Sequence, residues 1–487
     1  MSPKKIVRRI PRAAWLCALV ACLNAVCWSL LTPPFQATDE PDHFAYVKQL
    51  AETGSLPTSN SEQLSTEEED VLIGLHNFQV RQQPQTRTIA SQSEQGELQG
   101  VLAAVADLPK TGSPAAGLAT LQPPLYYAIE AVPYALASAG SVLDRLQLMR
   151  LTSALFAGLT ALFVFLFVRE ALPGEPWAWA VGGLAVALAP LLGFMSGAVN
   201  PDSLLFAVSA ALFWALARAF RRGLSTLDAT MVGGLMIVGF LTKVNFVGLV
   251  PGALLGLVIS SVRAARISGR SAYRLLALAV GIAFSPVALY AGVNVLSGRR
   301  HPLGVVSLAL NTAHASILSQ LNYIWQLYLP RLPGMVNDFP GLFTTRQLWF
   351  NGYVGLYGWL DTPFPGWVDN VALIPAGAIA LLCGRALFRE RAVLASRAGE
   401  LVVYAAMAIG LLVLVGADSF RAFPATDAEF AQARYLLPLL ALFGAVLALA
   451  ARGAGRRWGP VVGGVIVVLF LAHDVFSQLQ VVARYYG

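Results

Sequence analysis

Long apolar runs dominate the chain, and short polar segments separate them. The runs do not alternate between apolar and polar residues, so they lack the period-two pattern of barrel strands. Most are close to the roughly 17–25 residues that a helix needs to cross a bilayer. Because only helices and closed barrels satisfy their backbone groups in lipid, the pattern predicts an all-α polytopic membrane protein.

The apolar pattern predicts about eleven transmembrane helices and two long polar segments. The helices are expected at 13–31, 147–168, 176–197, 203–217, 227–242, 246–261, 275–296, 368–383, 399–416, 435–451 and 458–476. We expect one membrane domain, 1–487, whose parts are outer loop 1 (32–146), helices two to seven (147–296), a second outer segment (297–367) and helices eight to eleven (368–487).

The basic residues predict the orientation of these helices. Five cations precede the first apolar run: Lys4, Lys5, Arg8, Arg9 and Arg12. Most short loops between later runs also contain arginine, which the positive-inside rule places in the cytoplasm. The N-terminus is therefore expected inside, and the C-terminus and both long segments outside. The first run exceeds the roughly 7–15 residues of a signal-peptide core, which predicts an uncleaved signal anchor.

Outer loop 1 contains both apolar and polar stretches. Pro41 and near-helical apolar spacing predict an amphipathic helix at 41–53 that lies along the outer surface. Residues 124–140 could either span the membrane or form an interfacial or re-entrant helix, and the charge pattern favours the second alternative. We expect the acidic run at 67–70 to be solvated and part of 84–100 to be flexible.

The composition agrees with the membrane class. The 487 residues are 56% hydrophobic and 13% charged, with a mean hydropathy of +0.62, whereas soluble domains contain roughly 25% charged residues. The net charge of +7 comes largely from the predicted inner loops, so we expect no nucleic-acid partner. Cys17, Cys22, Cys27 and Cys383 lie in apolar runs and show no zinc or disulfide spacing.

Candidate chemistry begins directly after the first predicted helix. Asp39, Glu40, Asp42 and His43 would lie at the outer membrane–water boundary. A carboxylate held there could act as a general base, which contributes roughly 10²–10⁴-fold to a rate. Asp39 is the preferred base and Glu40 the second choice, while Asp42 and His43 are expected to form the structural surround.

A lipid phosphate as leaving group would require a cation beside it. The candidates on the outer side are Arg434, Lys243, Arg346, Arg331 and the group Arg299-Arg300-His301. Lys243 lies between two apolar runs, where a charge costs roughly 2.5–3.5 kcal/mol, so it either faces a cavity or partner or snorkels to the interface. Arg434 is either a functional cation or an interfacial anchor. Asp202 suits the start of a helix, a role that is compatible with function.

Several segments together resemble a known superfamily. The Asp39-Glu40 pair, QPPLYY at 122–127 and Asn200-Pro201-Asp202 resemble the GT-C superfamily, including its protein mannosyltransferase and aminoarabinose transferase branches. These are integral membrane glycosyltransferases that use polyprenyl-phosphate sugars. The segments 33–40, 357–363 and 433–438 resemble, more narrowly, a GT-C-like bacterial family of predicted membrane proteins.

The resemblance implies roles for individual residues. Asp39 would be the catalytic base with Glu40 beside it, and the donor phosphate would contact Arg434 and Lys243. Arg346 is a further candidate for the phosphate because it is a cation on the predicted outer side. The supporting residues would be His43, Asp42, Asp202 and Tyr126. No metal ligands are assigned, and because the chain has no tight Asp-x-Asp motif near Asp39, the resemblance neither requires nor forbids a divalent cation.

The leading functional hypothesis is a glycosyltransferase at the outer face of the cytoplasmic membrane. It would move a sugar from a polyprenyl-phosphate donor to a hydroxyl of a cell-envelope glycan, lipid or protein. One alternative is a transporter or flippase for a lipid-linked glycan, which usually shows repeats and ionisable residues near the midplane. Another is a non-catalytic envelope assembly protein, which predicts that the 39–43 cluster tolerates neutral substitution.

Overall fold

The structure is a computed structural model in which helices account for nearly all regular structure. It describes residues 10–57, 64–83, 85–89, 91–106, 108, 118–268, 271–296, 316–339, 344–426 and 431–487. The first ten helices are α1 (Arg12–Leu31), α2 (Glu40–Thr53), α3 (Thr66–Gly74), α4 (Asn77–Gln82), α5 (Gln92–Val105), α6 (Leu125–Leu136), α7 (Val142–Ala171), α8 (Pro176–Ala187), α9 (Pro190–Ser196) and α10 (Asp202–Arg222).

The described residues after α10 form ten further helices and a small hairpin. The helices are α11 (Thr226–Thr242), α12 (Val250–Ser268), α13 (Ser271–Leu296), α14 (Ile317–Tyr328), α15 (Gly352–Gly355), α16 (Gly366–Arg389), α17 (Arg391–Ser396), α18 (Ala398–Thr426), α19 (Leu440–Gly453) and α20 (Gly459–Tyr485). Short 3₁₀ segments cover Leu118–Leu121, Val244–Leu249 and Ala433–Leu439, and a π-helical turn covers Arg346–Asn351. Strands β1 (Leu356–Tyr357) and β2 (Thr362–Pro363) pair antiparallel.

The helices confirm the predicted class of all-α polytopic membrane protein. Among the described residues, nine helices are long and apolar enough to cross a membrane, and α8 with α9 forms a tenth span bent by 54°. The bend follows from Pro190, whose ring cannot continue a helix. The shorter α11 is also apolar. These elements are compatible with the predicted number of spans, which remains a prediction.

Helix α7 forms the centre of the bundle and packs against α1, α8 and α10. Glycines allow close helix contacts: a Cβ at Gly182 of α8 would lie 2.7 Å from the carbonyl oxygen of Gly444 in α19. Small residues commonly play this role between membrane helices. By contrast, most of the apolar surface of α13 and α16 is exposed, as expected for helices that face lipid.

The two ends of the bundle differ in charge and structure. We call the end with Leu31, Val142 and Asp202 the loop face, and the opposite end the arginine face. On the arginine face, Arg221 pairs with Glu170 (3.3 Å), and Arg452 pairs with Glu390 (2.8 Å). The predicted basic loops thus gather at one end, and the described part of outer loop 1 lies at the other.

Outer loop 1 is more ordered and more buried than predicted. Helix α2 begins within one residue of the expected position, but residues 43–48 are all buried, and α6 packs on this helix instead of leaving it on the surface. The prediction of a solvated acidic run was wrong for two of its members. Glu67 forms a buried ion pair with Arg145, and Glu68 pairs with Lys48 at 2.8 Å.

Helix α5 covers part of 84–100, the segment that was predicted to be partly flexible. The Ser91 side chain accepts a hydrogen bond from the Glu94 backbone N–H, while the Glu94 carboxylate accepts one from the Ser91 backbone N–H. The same capping box joins Ser65 and Glu68 at α3. This Ser-x-x-Glu pattern was visible in the sequence and is a helix-start signal.

The length of α6 distinguishes the two alternatives for residues 124–140, a membrane span or an interfacial helix. Helix α6 has 12 residues, about 18 Å at the usual rise, whereas a bilayer core is roughly 30 Å thick. The structure therefore favours the interfacial alternative. Its inner side carries Tyr126, Tyr127 and Glu130, all of which are buried.

Candidate active site

Asp39 and Glu40 are neighbours in sequence, but their side chains have different environments. Asp39 has φ of +63°, in the left-handed region, and immediately precedes α2. Aspartate tolerates this conformation better than most residues, and such backbone strain is frequent at functional sites. The Asp39 side chain is 41% exposed, whereas Glu40 is 0% exposed. Only Asp39 can therefore meet a ligand without rearrangement of the fold.

Both carboxylate oxygens of Glu40 accept hydrogen bonds from groups within the protein. Its Oε1 accepts from Arg150 Nε at 2.7 Å and from the Val199 backbone N–H at 3.0 Å. Its Oε2 accepts from Arg150 Nη2 and from the Phe35 backbone N–H, the latter at 3.0 Å. The expectation that Glu40 is a second catalytic carboxylate is corrected, because this buried carboxylate has no free face. The sequence reasoning missed Arg150, its partner.

Arg434 is the cation that meets Asp39. The 3₁₀ segment Ala433–Leu439 holds its guanidinium so that Nη2 donates to Asp39 Oδ2 at 2.6 Å. Nε lies 3.8 Å from Asp202 Oδ2. Arg434 is 4% exposed, yet Nε and Nη1 have no hydrogen-bond partner among the described residues. A buried guanidinium with unused donors is costly unless a ligand satisfies it.

Lys243 and Asp202 form a second ion pair behind the first. Lys243 Nζ lies 2.7 Å from Asp202 Oδ1, and both side chains are buried. Asp202 is in the first turn of α10 and Lys243 caps the C-terminal end of α11, so each charge complements its helix dipole. The snorkelling alternative for Lys243 is therefore wrong, since the ammonium has a buried partner.

The electrostatics leave Asp39 charged and His43 neutral. The surrounding protein desolvates Asp39, which would raise its pKa, but Arg434 outweighs this and holds the pKa below its usual value. Burial lowers the pKa of His43 to about 3, although Asp39 opposes the shift. His43 Nδ1 lies 3.0 Å from the Tyr127 hydroxyl. At neutral pH the candidate base is thus ionised and His43 is its uncharged neighbour.

Two predicted supporting residues lie beside the cluster. The Tyr126 hydroxyl is 2.8 Å from Ser153 Oγ, which donates to Glu130 at 2.9 Å, so Tyr126 belongs to a separate buried network. Tyr127, which the prediction left out, is the tyrosine that reaches His43. Asp42 lies half-buried in the first turn of α2.

Arg346 is not part of the Asp39 cluster. It is exposed, and its Nη2 donates to Asn370 Oδ1 at 2.6 Å. This placement corrects its prediction as a donor-phosphate contact. Arg331 is exposed, and Arg299, Arg300 and His301 lie outside the described residues.

The segments that carry the sequence resemblance meet at this site. Thr38 Oγ1 donates to the Gly358 carbonyl at 2.7 Å, and Asn200 Nδ2 donates to the Thr38 carbonyl at 3.4 Å. The Asp202 backbone N–H donates to Asn200 Oδ1 at 3.0 Å. Gly358 has φ of +64°, and a Cβ there would lie 2.3 Å from Asp361 Oδ1, which explains the glycine. Segments far apart in sequence therefore position Asp39 and Asp202 together.

A cavity of about 420 Å³ adjoins the ion pair, and Arg434 and Thr38 form part of its wall. Most of the remaining wall is apolar: Leu191, Phe194, Met195, Leu348, Leu356, Leu360, Pro363 and Phe364. Besides Arg434 and Thr38, the polar residues of the wall are Gln347, Asn351, Asp369 and Gln432, and glycines and alanines form the rest. Within the described ranges, no group of three or more His, Cys, Asp or Glu residues could hold a metal ion.

Fold and site together define a multi-pass membrane protein with a charged cluster at one end of its helix bundle. The chain belongs to the family described as "Predicted membrane protein (DUF2142)", whose model matches residues 22–443. This confirms the family resemblance drawn from the sequence motifs. No curated protein matches the chain.

The chain is also similar to solved membrane-protein structures. ArnT from Cupriavidus metallidurans bound to undecaprenyl phosphate shares 14% identity at a TM-score of 0.43, over 96% of this chain and 75% of that one. The oligosaccharyltransferase of Archaeoglobus fulgidus in the apo form shares 12% identity at a TM-score of 0.47. AglB from the same organism, with an inhibitory peptide and a dolichol-phosphate, shares 11% at 0.48. Both archaeal matches include 97% of this chain, but the chain spans only 56% of the length of those proteins.

Proposed function

We propose that the protein is a GT-C-type glycosyltransferase that takes its sugar from a polyprenyl-phosphate donor at the outer face of the cytoplasmic membrane. The observation that carries this proposal is that Arg434 uses only part of its hydrogen-bonding capacity within the protein. Its guanidinium binds Asp39 with one nitrogen, while the two others make no hydrogen bond among the described residues, and the side chain lines a largely apolar cavity. A phosphate on an isoprenoid chain fits both properties.

The phosphate would replace Asp39 as the partner of Arg434. Arginine binds phosphate through paired charge-assisted hydrogen bonds, which a single carboxylate contact does not match. Lys243 lies close behind, where Asp202 balances its charge. The apolar wall would bury the isoprene units next to the phosphate, which is favourable by roughly 25 cal/mol per Å².

Release of Asp39 from Arg434 would convert it from a structural partner into a general base. The acceptor hydroxyl oxygen attacks the anomeric carbon of the sugar, and the bond between that carbon and the phosphate oxygen breaks. Asp39 takes the hydroxyl proton, and the polyprenyl phosphate leaves with the electron pair. Arg434 stabilises the charge that develops on the leaving phosphate. The ion pair thus keeps Asp39 ionised before the donor arrives.

The charge distribution supports the orientation that we propose for this chemistry. The arginine face is assigned to the cytoplasm by the positive-inside rule, so the Asp39 cluster would open to the outside. The acceptor would be a hydroxyl of a cell-envelope glycan, lipid or protein. A flippase would instead carry the lipid-linked glycan through the bilayer, so a vesicle assay that detects translocation without covalent transfer would favour that alternative.

Binding of undecaprenyl phosphate tests the proposal directly. The purified full-length protein and two variants, Arg434→Ala and Arg421→Ala, are titrated with the lipid and followed by native mass spectrometry. Arg421 is the control because it pairs with Asp418 (2.8 Å) and is not part of the cavity wall. We expect Arg434→Ala to weaken binding at least about tenfold, as for lost charge-assisted hydrogen bonds. Equal affinities of all three proteins would contradict the proposal.

A further inference from the structure

The cavity has a second polar region besides Arg434. Asn351 Nδ2 donates to Asp369 Oδ2 at 2.9 Å. The other oxygen of each side chain, Asn351 Oδ1 and Asp369 Oδ1, has no hydrogen-bond partner among the described residues, and the same is true of Gln432 Oε1. Asp369 is only 6% exposed. All three residues belong to the cavity wall, and a buried acceptor without a donor is costly, so a ligand that donates hydrogen bonds would stabilise this region.

The two polar regions share one wall. Gln432 immediately precedes the 3₁₀ segment Ala433–Leu439 that holds Arg434, and this segment packs on the π-helical turn that holds Asn351. The contact is close, because a Cβ at Gly352 would lie 3.3 Å from the Ala433 Cβ. One region therefore offers unused donors from Arg434, and the other offers unused acceptors. A ligand that carries an anion at one end and hydroxyl groups at the other would satisfy both.

The charge of this second region further restricts the ligand. Asp369 forms no ion pair among the described residues within the ion-pairing distance. Arg346 is near enough to act on it electrostatically, but this exposed side chain donates to Asn370 instead. A second carboxylate brought against Asp369 would be repelled in a site that is largely shielded from water.

We propose that Asp369, Asn351 and Gln432 form the subsite for the donor's sugar, and that it accepts a hydroxyl-bearing sugar without an acidic group. The inference rests on the proposed function, since it takes the donor phosphate to lie at Arg434. Asp369 is the specificity-determining residue: it accepts hydrogen bonds from sugar hydroxyls and excludes uronic acids. Gln432 contributes a neutral acceptor and no charge.

Three lipids of matched chain length test the subsite in the full-length protein. The probes are undecaprenyl phosphate, undecaprenyl-phosphate glucose and undecaprenyl-phosphate glucuronic acid. We expect the wild type to bind the glucose lipid about tenfold more tightly than the glucuronic acid lipid, because hydrogen bonds to a charged acceptor are strong and like charges repel. Undecaprenyl phosphate, called the bare phosphate below, has no sugar, so its affinity measures the contribution of Arg434 alone.

Two variants separate charge from hydrogen bonding. Asp369→Asn keeps the shape but removes the charge, and should bring the affinities for the two sugar lipids to within about twofold of each other. Gln432→Ala should lose affinity for both sugar lipids equally and retain their ratio. Asp418→Asn is the control, since Asp418 pairs with Arg421 outside the cavity wall. None of these changes should weaken binding of the bare phosphate.

The outcomes distinguish failure of the subsite from failure of the proposed function. Unchanged discrimination in Asp369→Asn would overturn the subsite, as would tighter binding of the glucuronic acid lipid by the wild type, which would point to Arg346 as an anion contact. Each of these results leaves the bare phosphate at Arg434. If the bare phosphate does not bind, the proposed function itself fails. Melting temperature and elution volume show that each variant remains folded.

Discussion

Two carboxylate–arginine pairs, formed by consecutive carboxylates, have opposite properties. The Glu40–Arg150 pair is fully buried, and both carboxylate oxygens also accept backbone N–H groups. The Asp39–Arg434 pair has a 41% exposed carboxylate and a guanidinium with two unused nitrogens. The first pair resembles a structural clamp between α2 and α7. The second resembles a ligand-binding site.

The comparison shows why ion pairing alone does not identify a functional site. Both arginines are buried and both pairs are short, so neither distance nor the burial of the cation separates them. What separates them is whether every donor and acceptor is satisfied inside the protein. A saturated pair can only stabilise the fold, whereas an incompletely satisfied one has bonding capacity for a substrate.

Asp39→Asn should cause the largest change in function. Loss of the base should lower the transfer rate by roughly 10²–10⁴-fold, while the melting temperature stays close to that of the wild type. The measurement is sugar transfer from undecaprenyl-phosphate sugars in reconstituted vesicles. Retained activity in this variant would remove Asp39 from the mechanism.

Arg150→Ala should cause the largest change in stability. It leaves Glu40 as an unpaired buried charge, which costs about 3–5 kcal/mol. Arg434→Ala should destabilise less, because its partner Asp39 is partly exposed to water. Thermal unfolding of both variants in the same detergent measures the difference. Equal destabilisation would break the distinction between a structural pair and a ligand-binding pair.

Glu130 extends the comparison to a buried acid that forms no ion pair with any described residue. Burial raises its pKa to about 8 from 4.5, so the folded protein keeps a proton there that the unfolded chain releases. This group's contribution to stability is fully present below pH 4.5 and is lost as pH rises through about 8.

Glu130→Gln should therefore reduce the fall in melting temperature between about pH 5 and pH 8. Glu69→Gln is the matched control, since Glu69 is exposed. Melting temperatures of wild type and both variants across this range measure the effect. A pH dependence that is the same in all three proteins would show that Glu130 is not a buried neutral acid.

Arg346→Ala should cause the smallest effect. The exposed guanidinium contacts a neutral amide, and exposed polar contacts contribute little, so the affinity for undecaprenyl phosphate should change by less than about twofold. Native mass spectrometry measures it in parallel with Arg434→Ala. A tenfold loss would restore Arg346 as a phosphate contact.

The sequence was sufficient to predict the helical class and the approximate helix positions, and to select Asp39, Arg434, Lys243 and Asp202 as candidates, which the structure brings into one cluster. The apolar pattern predicts the helical class and the helix positions, because every backbone polar group in lipid must be hydrogen-bonded within the segment that crosses it. The four residues could be selected because charges beside or between apolar runs are costly without partners.

The rest required tertiary contacts. Nothing local in the chain shows that Glu40 turns inward to Arg150, which is 110 residues away, or that Arg434 reaches Asp39 across 395 residues. The cavity wall that includes Asp369 and Gln432 likewise combines distant segments. By contrast, the capping boxes of α3 and α5 were readable from the sequence.

A structure with undecaprenyl phosphate bound tests the central claim most directly. We predict phosphate oxygens at about 2.7–2.9 Å from the Arg434 guanidinium, with Asp39 released from Arg434 and the Glu40–Arg150 pair unchanged. The claim is contradicted if the phosphate binds at another cation while Asp39 and Arg434 remain paired at 2.6 Å.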